Sequence, residues 1–231
     1  MFCWLSVLPS ILPTVCGFDN WRPKNSLITC RSKTPISAAG VVTRQWLGGL
    51  RRVCWLLVVM WVVQGLNSYL GLAFNDLGIY PREWWSLPGV VLWPFLHGGI
   101  AHLLMNSLAL LMLGFFVALR GGGVFYKASL LIVVLGGLGV WMIGRPAYHI
   151  GASGLAFGYF GFLVAVAFYE KRASSLLVAG LVLFYYSGMI FGVLPQNSFI
   201  SWEGHLFGMM AGIFAARLLA RRSPPSRTLL L

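Results

Sequence analysis

Two residues could together do nucleophilic chemistry. Ser153 stands in Gly151-Ala152-Ser153-Gly154 and His205 in Gly204-His205-Leu206-Phe207-Gly208, each at the head of a long apolar segment. A serine beside a histidine is the minimum for covalent attack on a carbonyl, since the imidazole removes the hydroxyl proton as the oxygen adds. A third pattern, His102-x-x-x-Asn106, places two hydrogen-bond donors four residues apart and so on one helical face, where they could hold an oxyanion. The Ser153 amide, free at a helix N-terminus, would add a third donor. Glu203 lies two residues before His205, while Asp76 and Glu83 fall in a loop, so no carboxylate is placed to complete a triad. The residues read as a Ser-His dyad, a site defined by geometry and roles rather than by one residue list.

Such a pair acts only if the segments carrying it bring it together. Of the 231 residues, 58% are apolar and 10% charged, and the mean hydropathy is +0.81. That composition predicts an all-α, multi-span membrane protein. Six apolar segments follow one another, at about 53–74, 101–119, 125–144, 151–169, 174–194 and 204–220. They are too long and too continuously apolar for barrel strands, and lipid requires each backbone to satisfy its own polar groups, so they are predicted as helices. Domain boundaries follow: 1–45 a poorly ordered cytoplasmic extension, 46–222 the six-helix unit, 223–231 a tail.

Basic residues orient this unit. The net charge is +12, with 17 Lys and Arg against 5 Asp and Glu. In a soluble chain that excess would point to nucleic acid, but in a membrane protein it collects in cytoplasmic loops beside anionic lipid. Seven basic residues precede the first segment, Arg120 and Lys127 follow the second, Lys171 and Arg172 the fourth, and Arg217, Arg221, Arg222 and Arg227 close the last. The alternating connections hold only Arg82 and Arg145. Both termini are therefore expected in the cytoplasm. The second, fourth and sixth segments then begin at the external leaflet, with His102, Asn106, Ser153 and His205 at one depth and His97 and His149 in the loops just before.

Glycines offer these segments a way to touch. Gly151 and Gly154 flank Ser153, and Gly158 and Gly161 continue along the fourth segment. His205, Gly208 and Gly212 share one face of the sixth, and Gly208-x-x-x-Gly212 is a small-residue contact motif. Phe157, one turn beyond Ser153, could stack on the imidazole. Singly, each feature is an ordinary packing residue of a membrane helix; their conjunction at one depth points to a site. Cys3, Cys16, Cys30 and Cys54 form no C-x-x-C pair and lie away from the histidines, which excludes a zinc or redox motif. A zinc intramembrane protease would need His-Glu-x-x-His and an aspartyl one paired aspartates; the chain has neither.

Residues 53–220 resemble the rhomboid intramembrane serine proteases of bacterial type, with His97, His102-x-x-x-Asn106, Gly151-x-Ser153-Gly154 and Gly204-His205-x-x-Gly208-x-x-x-Gly212 carrying the likeness. The resemblance implies a six-transmembrane-helix bundle in a bacterial plasma membrane. Ser153 would be nucleophile and His205 general base, and His102, Asn106 and the Ser153 amide would form the oxyanion hole. His97, Gly151, Gly154, Phe157, Gly208 and Gly212 would shape the site. Transmembrane proteins within the lipid bilayer would be the substrates, with no metal or organic cofactor and no nucleic acid. The family often has tyrosine where Phe157 stands. Its Trp-Arg pair in the first external loop is matched only by Arg82-Glu83-Trp84-Trp85 in another order. The fifth segment is expected to move, and Pro195–Trp202, with Gln196, Asn197 and Ser198, to cap the site. A relative that keeps the fold but only binds membrane proteins is the alternative, and retention of both Ser153 and His205 argues against it.

Overall fold

The structure is a computed structural model that describes residues 38–195 and 200–220, with side chains from residue 42 onward. Eight α-helices are described: α1 (Ala38–Leu70), α2 (Gly89–Leu92), α3 (Ile100–Ala118), α4 (Gly122–Ile143), α5 (Ser153–Glu170), α6 (Ala173–Tyr186), α7 (Met189–Gly192) and α8 (Trp202–Leu219). Between α1 and α3 the chain runs through three 3-10 turns and α2. One isolated antiparallel bridge, Ile79 with His149, is the described residues' only β pairing.

Two boundaries differ from the hydropathy expectation for physical reasons. Helix α1 begins at Ala38, well before residue 53. Arg44, Gln45, Arg51 and Arg52 make its first turns too polar to read as a span, yet none of them opposes helix. The segment expected at 174–194 is broken: α6 ends at Tyr186, Ser187-Gly188 intervene, and α7 turns separately. A hydropathy average over an apolar stretch registers no such break.

Helix α5 is the axis of the bundle: most of it is buried, whereas most of α1 is not. It is apolar all round, as a helix surrounded by others must be. Its tightest partner is α8. A Cβ added to Gly208 would collide with the Gly154 carbonyl, and one added to Gly212 with the Gly158 carbonyl. In lipid, water supplies no drive for helix association, so this backbone-to-backbone packing is what can hold the pair. Polar bonds tie in the other helices. Tyr159 Oη meets Ser129 Oγ at 2.6 Å between α5 and α4, and Trp61 Nε1 donates to Ser107 Oγ at 3.1 Å between α1 and α3. At the far end from Ser153, Arg120 pairs with Glu170, which also accepts from Ser175 Oγ at 2.7 Å.

The outer surface is apolar. Trp55 and Val62 on α1, Met105 and Leu108 on α3, and Leu177 and Phe184 on α6 are all exposed. Helices α1 (from Val42), α3, α4 and α5 are each long and apolar enough to cross a bilayer, and α6 is a shorter apolar helix.

Candidate active site

Ser153 is the first residue of α5, where the chain leaves a tightly held loop. Gly151 donates its N–H to the Trp93 carbonyl at 2.8 Å, and Ala152 donates to His97 Nε2 at 3.3 Å. Gly151 itself has φ +111°, which L side chains rarely adopt. A Cβ there would also lie 2.7 Å from His102 Cε1 and 2.8 Å from His102 Nε2. Both the turn into α5 and the space before His102 therefore require glycine. Gly154, next along, has no room for a side chain because the Trp93 ring packs against it.

His205 lies in the first turn of α8, its N–H donating to the Ser201 carbonyl at 3.2 Å. Its Nε2 is 2.9 Å from Ser153 Oγ, and its Nδ1 is 2.9 Å from the Gly192 carbonyl. A carbonyl can only accept, so Nδ1 carries the proton in the neutral ring and Nε2 is left to accept from the serine hydroxyl. Phe157 stacks on the imidazole with centroids 4.0 Å apart and planes 4° from parallel. The ring is thus fixed in tautomer by one neighbour and in plane by another.

His102 and Asn106 project from α3 into the same cleft, a cavity of about 870 Å³ lined also by Ser153, Ser201 and His205. Asn106 is buried, and its Nδ2 has no hydrogen-bond partner among the described residues. A buried donor left without a partner is costly unless something arrives to use it. His97 is buried behind His102, with ring centroids 5.2 Å apart. Burial holds its pKa down at about 4, the neighbouring His102 adding to the effect and the Phe95 backbone opposing it, so it stays neutral and can accept from Ala152.

The structure therefore brings together Ser153, His205, His102, Asn106 and Phe157, with His97, Gly151 and Gly154 behind them. Gly208 and Gly212 act from further down α8, by setting its distance from α5. Residues 196–199, where a cap was expected, lie outside the described residues, as do the N-terminal residues through 37 and the tail. Sequence reasoning missed Gly192. Its contribution is a backbone carbonyl, which no residue type advertises. Its lack of a side chain is nevertheless required, since a Cβ there would lie 2.5 Å from Phe157 Cζ.

The family model of the Rhomboid domain matches residues 81–222, a stretch that contains every one of these side chains. The chain belongs to the rhomboid family. A putative rhomboid protease of Bacillus subtilis, YdcA, is 30% identical over 181 residues, 72% of this chain and 86% of that one. The rhomboid protease GluP of the same bacterium is 32% identical over 139 residues, 59% of this chain and 26% of its own. An uncharacterized protein of Mycobacterium bovis is 35% identical over 210 residues, 87% of each chain. A rhomboid domain built of such apolar helices makes this an integral, multi-pass membrane protein, and its bacterial relatives associate it with a plasma membrane.

Proposed function

We propose that this rhomboid is an intramembrane serine endopeptidase that cleaves transmembrane segments of other membrane proteins. The observation that carries the reading is the 2.9 Å approach of His205 Nε2 to Ser153 Oγ, with His205 Nδ1 turned to the Gly192 carbonyl. Ser153 Oγ attacks the scissile carbonyl as its proton passes to His205 Nε2. The resulting imidazolium keeps its Nδ1–H on Gly192, so a carbonyl dipole stands where a triad would have a carboxylate. Negative charge on the former carbonyl oxygen is met by Asn106 Nδ2, His102 and the Ser153 amide, and the orphaned Asn106 donor supports that role. His205 then protonates the leaving amine. Water repeats the sequence on the ester and frees Ser153.

In this reading six segments span the bilayer, with α1, α3, α4, α5, α6 and α8 at their cores and both termini in the cytoplasm. The fifteen-to-two division of basic residues supports it. The dyad then lies near the external leaflet, where water can reach the cleft. Substrate helices enter from lipid beside α6 and unwind before reaching Ser153. A cleavage assay in detergent with a generic single-span substrate tests the reading. Wild-type protein cleaves, and Ser153→Ala and His205→Ala do not.

A further inference from the structure

The head of α8 is held by residues that the dyad chemistry leaves unused. His149, in the loop from α4 to α5, is buried, and its backbone pairs in both directions with Ile79. Its ring has two partners: Nε2 lies 3.1 Å from the Arg145 carbonyl and Nδ1 lies 2.6 Å from Ser201 Oγ. The carbonyl can only accept, so Nε2 carries the proton and Nδ1 accepts from the Ser201 hydroxyl. Burial pushes the His149 pKa below the ordinary histidine value, against opposing effects of the Arg145 backbone and Glu203, which agrees with this neutral tautomer.

Ser201 is the N-cap of α8, and a serine there ordinarily accepts from the helix's own free N–H groups. Here it makes no such cap. Its hydroxyl is turned to His149 instead, while its carbonyl accepts from the His205 N–H at 3.2 Å. Arg145 grips the same end. Its backbone N–H donates to Glu203 Oε1 at 3.3 Å, its guanidinium lies 3.7 Å from that oxygen, and Nη2 donates to the Ile200 carbonyl at 2.6 Å.

We infer that Arg145 and His149 form a clasp that positions the first turn of α8, and that the His149–Ser201 hydrogen bond is the member that sets His205 at attacking distance from Ser153. This inference rests on the proposed proteolysis. The loop that carries the clasp runs directly into Ser153, so one segment of chain fixes nucleophile and base relative to each other. His149 and Ser201 are positioning residues here: they act through His205.

Two rates test the clasp, kcat for a single-span substrate and labelling of Ser153 by a small fluorophosphonate, which needs the base but no transmembrane substrate. Ser201→Ala and His149→Phe lower both about ten- to hundredfold, with KM changed by less than about threefold. His149→Asn, which keeps an acceptor where Nδ1 stood, recovers most of the rate. Thermal unfolding midpoints in detergent are followed for each variant. Wild-type labelling in Ser201→Ala and His149→Phe overturns the clasp and leaves the dyad standing. Loss that follows a fallen midpoint, with no recovery in His149→Asn, makes the two residues merely structural and also overturns it. A wild-type protein that neither labels nor cleaves overturns the protease reading itself.

Discussion

At the scale of single residues, the proposed chemistry separates groups that would react from groups that hold them in place. Asn106 Nδ2 is buried and has no hydrogen-bond partner among the described residues. Asn106→Ala should therefore lower kcat by about 10²–10³-fold while leaving KM and the unfolding midpoint nearly unchanged, as loss of one oxyanion donor does. Steady-state kinetics on a single-span substrate would check this, and a KM effect without a kcat effect would remove Asn106 from that role. Gly192 offers a converse case, since a Cβ there would press on Phe157 at 2.5 Å and disturb the ring stacked on His205. Gly192→Val is expected to slow fluorophosphonate labelling of Ser153 about a hundredfold, because the added side chain displaces the Phe157 ring that holds the plane of His205, although the backbone carbonyl at 192 remains. Unchanged labelling would mean that the imidazole finds its orientation elsewhere.

At the scale of elements, the contact of α5 with α8 decides whether the residues meet. Gly208→Leu would drive a side chain into the Gly154 carbonyl, one residue from Ser153. The expected result is destabilisation of at least about 1–3 kcal/mol together with loss of Ser153 labelling, measured by thermal unfolding and by probe. The same change at Gly123, where a Cβ would meet nothing within 4 Å, should be tolerated by comparison. These glycines were legible in the sequence because small-residue spacing is a side-chain pattern. So were Ser153, His205, His102, Asn106 and Phe157, each a distinctive type at helical spacing. The break between α6 and α7 was not, because hydropathy is summed over a window and Ser187-Gly188 barely change the sum. Nor was the Gly192 carbonyl, since every residue has one and only the chain's path aims it. The start of α1 was hidden differently: helix formation and membrane burial are separate properties, and only the second shows as apolarity.

At the scale of the whole molecule, an apolar exterior encloses a polar cleft with histidines buried around it. His97 and His149 are both held below the ordinary histidine pKa by burial, His97 at about 4. Between that value and about 6.5 the unfolded chain binds a proton that the folded chain refuses, so acidification favours unfolding. The neutral-histidine contribution is whole above about pH 6.5 and is lost as pH falls toward 4. The unfolding midpoint in detergent should drop between about pH 7 and about pH 5, and His97→Phe should drop less. An equal drop in both would assign the acid sensitivity to other groups.

In the proposed function Ser153 and His205 act together on a peptide bond. The most direct measurement is cleavage of a single-span substrate in detergent by wild type, Ser153→Ala and His205→Ala, each first shown to be folded by its unfolding midpoint. Cleavage by wild type and none by either variant is the predicted result. Equal cleavage by all three would contradict it.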